Sequence, residues 1–394
     1  MWKECKDLQE TVVKMRRDLH RIPEVGTDLP MTRAYVCKKL DELGVPYRLF
    51  KQDSGLVATI QGGKPGKVIA LRADMDALPI HEETGLPFAS EHPGCMHACG
   101  HDTHMAMLLA TAQVLNAHKA EIPGTVKLLF QTGEEIAKGA KIAVAEGALK
   151  DPEVDAVFGT HIGSIIGKDI PTGTFIVTPG CSMASFDKYI IKIKGMGCHG
   201  STPEKGIDPI LVGSNIVMAL QEIVSREIAA TRPKVLTVGQ FHAGFAYNVI
   251  PTEAVIEGTI RALEEEVRLY IARRIKEISQ SIATAYKAEC EVEMVWGAPP
   301  VTNDDEMAAL AARAAKKVLG ENMVITSVPA PNMGGEDFAY FLAEKPGAFM
   351  FLSSANPAKH TDIPHHNPKF DVDEDVMWEG AAVFAAIVEE FLGM

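Results

Sequence analysis

Residues 96–104 read Met-His-Ala-Cys-Gly-His-Asp-Thr-His, and the interpretation of the whole chain begins from them. Imidazole and thiolate groups at such short spacing are typical of sites for zinc or a neighbouring transition metal. An apolar segment at helical spacing follows, so we expect a helix to begin at Gly100, His101 and Asp102, where a carboxylate is favoured. Histidine and cysteine can also simply pack, and one short cluster supplies too few ligands to close a metal site. The remaining ligands must therefore come from elsewhere in the chain.

The composition of the 394 residues argues against several classes of protein. Lys and Arg total 39 and Asp and Glu total 52, a net charge of −13, so nucleic acid is not expected as a partner. No segment approaches an uninterrupted membrane span, and the amino terminus has no apolar signal region. The seven cysteines are scattered, odd in number and without disulfide-framework spacing. We therefore expect a reduced, cytoplasmic protein with no membrane partner.

The first half of the chain alternates strands with helices. Strands are predicted at residues 56–60, 67–71, 125–130 and 156–159. Polar residues follow them: Glu134 and Glu135 come after the third strand and His161 after the fourth. Open α/β sheets bind ligands at the carboxyl edge of their strands, so these three residues and His101 are expected to meet there. Solvated surface glutamates and an isolated polar histidine remain the alternative interpretation.

Residues 185–299 have a different character. Their predicted order, strand-helix-strand-strand-helix-strand, is that of a ferredoxin-like α+β domain. The helix-strand alternation of the first part resumes after Pro299 and Pro300. We therefore predict an α/β catalytic domain of residues 1–184 and 300–394, interrupted by an inserted domain of residues 185–299.

Several short motifs occur in one order along nearly the whole chain. They are Cys99-Gly100-His101-Asp102, Glu134-Glu135, Gly159-Thr160-His161, Asn248-Val249-Ile250-Pro251, Gly334-Gly335-Glu336-Asp337-Phe338 and His366-Asn367-Pro368. With these motifs the chain resembles the metal-dependent N-acyl-amino-acid amidohydrolases. That family includes bacterial aminoacylases, hippurate hydrolases and plant auxin-conjugate hydrolases, and is related to carboxypeptidase G. The resemblance implies a metallopeptidase-like catalytic domain and an inserted dimerisation or lid domain.

The resemblance also implies a metal centre and a reaction. Each subunit would hold two divalent ions, of Zn, Mn, Co or Ni, on Cys99, His101, Glu135, His161 and His366. The enzyme would hydrolyse the amide bond of a small N-acyl-amino acid to a carboxylic acid and a free amino acid. A metal-bridging water would be the nucleophile. The active species would be a homodimer or an oligomer built from dimers.

Further residues take roles by the same resemblance, supported by their chemistry. Glu134, beside a ligand but aimed differently, would be the general base, and Asp76 would support the ligand-bearing residues from behind. His199 would stabilise the oxyanion from the inserted domain, with Asn248 also facing the substrate. Arg261 offers a planar fork for the substrate carboxylate, although it could be an ordinary surface arginine at the end of a strand.

This chain departs from the family pattern in loops expected to face the substrate. A proline-containing segment is expected after His161, where residues 162–166 read Ile-Gly-Ser-Ile-Ile. Cys198 precedes His199 where glycine is usual, and Glu204 stands where histidine is common. These departures bear on the substrate and not on the class of reaction. Two other functions also stay open: a metallodipeptidase, and a non-catalytic metal-binding protein on the same fold. The inserted domain could serve the neighbouring subunit or close as a lid over its own site.

Overall fold

Two groups of residues each pack around a core of their own in the computed structural model, which describes residues 1–328 and 331–394. The larger unit comprises Met1–Ser182, Thr302–Asn332 and Asp337–Met394. The smaller unit comprises Met183–Val301 and Met333–Glu336. The assignment of catalysis to one domain and of dimerisation or lid closure to the other stays a prediction.

Nine α-helices lie within the described ranges. They are α1 Gln9–His20, α2 Pro30–Leu43, α3 His101–Ala117, α4 Gly139–Ala145, α5 Pro209–Glu222, α6 Glu265–Ala285, α7 Asp305–Leu319, α8 Ala339–Glu344 and α9 Met377–Leu392. None of these helices is long and apolar enough to cross a membrane.

The strands form one large sheet, one four-stranded sheet and short pairs. They are β1 Tyr47–Leu49, β2 Leu56–Gln61, β3 Lys64–Asp74, β4 Pro123–Gln131, β5 Ala156–Gly163, β6 Phe175–Ile176, β7 Gly180–Met183, β8 Phe186–Lys194, β9 Cys198–His199, β10 Lys234–Ala243, β11 Val249–Ile250, β12 Glu253–Ala262, β13 Glu289–Ala298, β14 Val301–Asn303, β15 Val324–Ile325 and β16 Gly347–Ser353.

The sheet of the larger unit has eight strands in the order β1-β2-β4-β3-β5-β16-β6-β15. Its four central strands, β4, β3, β5 and β16, run parallel to one another. In this register Asp74 lies opposite Gln131 and His161 lies opposite Phe351, so the strands end at one edge of the sheet. This is the edge at which open α/β sheets bind ligands.

The central elements of this unit are apolar because they are covered on all sides. Every residue of β5 is buried, as expected for a parallel strand covered on both faces. Helix α3 is apolar on nearly all sides and packs against α1 and α9, so it too is buried.

Helix α3 begins at His101, as the sequence predicts. The preceding Gly100 has a φ of +87°, a left-handed conformation that glycine adopts without strain. A Cβ atom at this position would lie 3.0 Å from the side chain of Ile162. The glycine therefore lets the helix start close to the end of β5.

The smaller unit has the antiparallel sheet order β10-β12-β8-β13, and α5 and α6 pack on it. Numbered along the domain, this order is 2-3-1-4, the ferredoxin-like arrangement, so the predicted fold class is confirmed. Residues Tyr189, Ile191 and Ile193 of β8 point into the core. The alternate lysines Lys188 and Lys192 pair instead with glutamates of neighbouring strands.

Two element boundaries differ from the sequence prediction. Strand β5 continues through His161 to Gly163, because these residues still pair with β16. The sequence after Glu135 predicts a helix over residues 137–149, but α4 is limited to Gly139–Ala145. It cannot begin earlier in the same form because Ala137 has a positive φ of 53°.

Candidate metal centre

The five predicted metal ligands come together at the carboxyl edge of the large sheet. Cys99 and His101 lie at the start of α3, and Glu135 follows β4. His161 lies near the end of β5, and His366 lies in the segment after β16. Four separate segments of the sequence are thus brought to one place at the edge of the parallel strands.

The donor atoms are close enough to share metal ions. The ligand atoms of Cys99, His101 and His161 all lie within 4.8 Å of one another, and so do those of Cys99, Glu135 and His366. The Cys99 Sγ atom is 3.4 Å from His161 Nε2, and His366 Nε2 is 3.4 Å from Glu135 Oε2. Cys99 belongs to both groups, so it lies between them.

Two of the imidazoles are held with one nitrogen free for a ligand. His101 donates from Nδ1 to the backbone carbonyl of Asp76 at 2.7 Å. His161 donates from Nδ1 to the backbone carbonyl of Ile162 at 2.8 Å. A hydrogen bond of this kind fixes the orientation of the ring and leaves Nε2 as the nitrogen that can bind a metal. Burial opposes the charge of His101, but Asp74, whose Oδ2 lies 3.5 Å from its Nε2, raises the pKa of His101 to about 10. This nitrogen must therefore lose a proton before it can bind a metal.

Two buried polar atoms in this cluster have no hydrogen-bond partner among the described residues. They are His101 Nε2 and Glu135 Oε1. Such atoms are costly to bury unless something binds them. Nitrogen, carboxylate and thiolate donors at these distances fit divalent transition-metal ions.

The electrostatics of the cluster depend on burial. Burial raises the pKa of the Cys99 thiol well above its usual range, and the carboxylates of Glu135 and Glu134 raise it further. Burial, together with the nearby imidazole of His104, lowers the pKa of His161 well below its usual range. His161 is therefore neutral and able to ligate, whereas the thiol of Cys99 needs a neighbouring cation before it loses its proton.

Glu135 carries the negative charge of the cluster. Burial opposes its ionisation, but the hydrogen bond with His366 and the charge of His101 lower its pKa below the usual value. Glu135 is thus ionised at neutral pH, as a metal ligand must be.

Asp76 lies behind the two glutamates, where the sequence places a supporting residue. Its carboxylate accepts the backbone N–H of Glu134 at 3.0 Å and that of Glu135 at 3.1 Å. Its own carbonyl accepts the His101 hydrogen bond. One residue therefore orients three of the side chains in the cluster.

Glu134 is 7% exposed and points differently from Glu135. Its Oε1 accepts a hydrogen bond from the backbone N–H of Asp337 at 3.4 Å. The turn that carries it is tight, since a Cβ atom on Gly139 would lie 1.4 Å from the Thr132 carbonyl oxygen. The glutamate is consequently fixed beside the metal-ligand atoms, within 4.8 Å of those of His101 and Glu135.

A buried ionic network behind the site was not identified from the sequence. Arg72 donates to Asp74 at 2.6 Å, to Gln131 at 2.8 Å and to Asp337 at 3.2 Å. Asp337 also accepts the backbone N–H of Ala140 at 3.0 Å. The acidic residues that end β3 and the motif around Asp337 were the available signals, but neither identifies its partners.

His104 is buried beside the cluster but is fully occupied. Its Nδ1 atom bonds to Asp74 at 2.5 Å, and its Nε2 atom accepts the backbone N–H of Ile162 at 2.9 Å. His104 therefore supports the end of β5 and has no lone pair left for a metal.

His365 is a second residue that sequence reasoning missed. Its Nδ1 atom lies 3.6 Å from Cys99 Sγ, and burial lowers its pKa to about 3. The adjacent His366 has a positive φ of 63°, and its side chain is 54% exposed. The pair of histidines in the sequence was the available signal, but the sequence does not say which side chain turns inward.

The three predicted substrate residues lie in the smaller unit. His199 is exposed and accepts hydrogen bonds at Nδ1 from the backbone N–H of Ser201 at 3.1 Å and from its hydroxyl at 2.8 Å. Asn248 lies next to it, because β9 and β11 pair and the Asn248 carbonyl accepts the N–H of Gly200 at 2.8 Å.

Arg261 is partly buried in β12. Its Nη1 donates to the Thr259 hydroxyl at 2.7 Å and to the Ile260 carbonyl at 3.1 Å, and its guanidinium lies over the ring of Phe186. No carboxylate among the described residues forms an ion pair with it. Burial lowers its pKa, although Asp187 opposes this effect. The guanidinium can therefore accept an anionic partner from outside the chain.

Comparisons with known proteins agree with this geometry. Residues 70–390 match the model of peptidase family M20/M25/M40. The chain is 40% identical over 369 residues to N-acetyl-L-cysteine deacetylase of Bacillus subtilis (strain 168), covering 93% of this chain and 85% of that protein. It is 36% identical over 394 residues to hippurate hydrolase of Campylobacter jejuni, covering 99% and 98%.

A solved structure is also similar over nearly its whole length. It is that of the YXEP protein of Bacillus subtilis, a dinuclear metal binding peptidase from the M20 family. The two chains are 35% identical and superpose with a TM-score of 0.84, covering 98% of this chain and 99% of the other.

Proposed function

The chain belongs to peptidase family M20/M25/M40, and from that premise we propose how it acts as a metal-dependent amidohydrolase of N-acyl-amino acids. The observation that carries the proposal is the orientation of His101 and His161. Both hold their Nδ1 protons on backbone carbonyls, and each has a ring nitrogen within 4.8 Å of the buried Cys99 thiol. Such imidazoles are prepared for a metal, not for packing.

We propose two divalent ions, which would be held by Cys99, His101, His161, Glu135 and His366. The relation to a dinuclear protein supports the number, and the mixture of thiolate, imidazole and carboxylate fits zinc or manganese and their neighbours. When bound, the ions supply a Lewis acid for the amide carbonyl and lower the pKa of a water molecule.

Glu134 is the proposed general base. It takes a proton from the attacking water and later gives it to the amide nitrogen as the C–N bond breaks. The products are a carboxylic acid and a free amino acid, so no other reactant is needed. The hydrogen bond from the Asp337 N–H and the backbone contact with Asp76 hold Glu134 in place for both transfers.

The smaller unit supplies the proposed substrate contacts. Arg261 binds the carboxylate of the amino acid through its free N–H groups. His199 donates a hydrogen bond to the oxyanion, and its Nδ1 contact with Ser201 leaves Nε2 for this purpose. Asn248, in the turn before β11, contacts the substrate next to it.

Replacing Glu134 and Glu135 one at a time tests directly which of them is the general base and which is a metal ligand. Glu134→Gln is expected to keep its metal content and to lose about 10²–10⁴-fold in kcat, because only the base is removed. Glu135→Gln is expected to lose metal. Metal analysis and kinetics on N-acetyl, N-benzoyl and indolyl-acyl amino acids measure both effects. The reverse pattern would show that the two roles are exchanged, and preference for substrates with a free α-amino group would indicate a dipeptidase.

We also propose that the protein is a dimer formed through the smaller unit. Strand β10 is at the edge of its sheet. Large apolar side chains are exposed on α5, namely Leu211 and Met218 at 73% exposure, and in the segment that follows β10, namely Phe245 at 85% and Tyr247 at 103%. An exposed edge strand with apolar neighbours is suited to pairing with a second copy about a two-fold axis. His199 would then serve the neighbouring subunit.

Subunit mixing tests whether His199 acts across the dimer. The inactive variants Glu134→Ala and His199→Ala are combined under conditions that exchange subunits. If His199 acts across the interface, one site of each mixed dimer is intact, so about a quarter of full activity returns. If the smaller unit closes over its own site, every site keeps one lesion. Exchange without recovered activity would exclude the cross-subunit arrangement.

A cytoplasmic location remains part of the proposal. All seven cysteines are free thiols, which supports a reducing compartment. Nucleic acid and membrane partners are not proposed, because the net charge of −13 opposes both.

A further inference from the structure

We propose that Arg16 positions the two ligand-bearing segments of the metal centre relative to each other. The inference rests on the ligand set proposed above. Arg16 lies on α1, is 1% exposed and donates its hydrogen bonds to three carboxylates, none of which is a proposed ligand. It would therefore act through its partners as a positioning residue.

The first partner belongs to the segment that carries His101. Arg16 Nε donates to Asp102 Oδ2 at 2.9 Å, and His20 Nδ1 bonds to the same oxygen at 2.8 Å. Asp102 directly follows His101 in the first turn of α3 and is itself 1% exposed. A shift of Asp102 must move His101, because the two residues are adjacent in a rigid helix.

The second partner belongs to the segment that carries His366. Arg16 Nη2 donates to Asp371 Oδ1 at 2.7 Å, and Nη1 donates to Glu374 Oε1 at 3.0 Å. Between His366 and Asp371, the ring of Phe370 stacks on His365 at 4.6 Å between centroids. The segment is therefore packed against the site at one end and attached to Arg16 at the other.

Arginine is the side chain best suited to bind these carboxylates at position 16. Its planar guanidinium offers several N–H groups in fixed directions, so it can hold three carboxylates at once. The ring of Phe88 lies over it at 4.9 Å and completes its burial. Without the guanidinium, the carboxylates of Asp102, Asp371 and Glu374 would repel one another, and α3 would separate from the 371–374 segment.

The expected consequence is on metal affinity. Residues that orient metal ligands typically change affinity about 10–100-fold when they are replaced. Arg16→Met should weaken Zn²⁺ binding by about this factor. The measurement is competition with a chromophoric chelator, which gives both stepwise dissociation constants without any assay of activity.

Arg17→Met is the matched control. Arg17 is the next residue of α1 and also binds Glu374, but it lies on the surface and its side-chain hydrogen bonds go to Glu374 alone. It should leave both Zn²⁺ dissociation constants unchanged. If Arg16→Met binds Zn²⁺ as the wild type does, or if both variants lose affinity equally, the proposal is wrong.

Asp371→Ala tests the contact of Arg16 with the His366 segment separately from its contact with Asp102. It leaves the Arg16–Asp102 ion pair in place and removes the attachment that is nearer to His366 in the chain, while Glu374 still binds Arg16. The His366→Ala variant first shows which of the two Zn²⁺ binding steps depends on His366, because that step is lost. Asp371→Ala should weaken that step and spare the other. Equal weakening of both steps, or of neither, would overturn the proposal.

Two further outcomes are distinguished by the same measurements. If Arg16→Met does not fold, Asp371→Ala still decides, because Asp371 is partly exposed. If the wild-type protein itself binds no Zn²⁺, the proposed ligand set fails and this inference fails with it. If the wild type binds Zn²⁺ and only the positioning effect is missing, the proposed function stands.

Discussion

Replacing Asp76 by asparagine should separate the support of the metal centre from its ligands. The carboxylate accepts two backbone N–H groups, from Glu134 at 3.0 Å and Glu135 at 3.1 Å. Asparagine keeps one oxygen acceptor but presents an NH₂ group to the other N–H. The His101 contact survives, because it uses the backbone carbonyl of residue 76.

The expected loss can be worked from these contacts. A hydrogen bond to a charged acceptor contributes about 1.5–3 kcal/mol, and Asp76→Asn removes one such bond and the charge on the other. If the Glu134–Glu135 turn then keeps its geometry only by binding metal, about 1.5–3 kcal/mol is lost from metal affinity. This is roughly a 10–150-fold increase in the dissociation constant.

Zn²⁺ competition titrations provide the assay, with Asp53→Asn as the control. Asp53 also accepts a hydrogen bond near this turn, at 2.5 Å from the Thr132 hydroxyl, but its other hydrogen bond comes from the backbone N–H of Gly55 and not from either glutamate. It should leave the Zn²⁺ dissociation constants within about threefold of the wild type. Unchanged metal affinity in Asp76→Asn, or an equal loss in Asp53→Asn, would refute the reasoning.

Two other predictions concern single groups. Cys99 should resist alkylation in the metal-loaded protein and become labelled after the metal is removed by a chelator. Labelling should be slow at neutral pH, because burial raises the pKa of the thiol. If peptide mapping shows Cys99 labelled equally with and without the chelator, Cys99 is not a ligand. Burial raises the pKa of Glu379 to about 7, so its charge opposes folding increasingly as pH rises from about 4.3 to about 7, and fully above that. Glu379→Gln should therefore add up to about 2 kcal/mol to the free energy of unfolding by urea at pH 8, and much less at pH 5; an equal gain at both pH values would contradict this origin.

The motif that begins at Met96 was interpretable because its chemistry is local. A helix that starts after Gly100 brings Cys99 and His101 together whatever the rest of the chain does. Likewise Glu134 and Glu135 follow an apolar strand, and parallel strands end at a common edge. For the same reason the order of strands and helices after residue 185 predicted the ferredoxin-like sheet of the smaller unit.

Tertiary structure decided what depends on long-range contacts. The sequence places Asp102 at a helix start, where a carboxylate is favoured, but its ionic partner Arg16 comes from a helix 86 positions away. Arg72 and Asp337 meet across 265 positions. Between His365 and His366, a backbone φ of 63° at His366 determines which imidazole turns inward. Residue types and spacing thus determined the chemistry of the site, whereas its supporting charges are set by packing between distant segments, which no local pattern encodes.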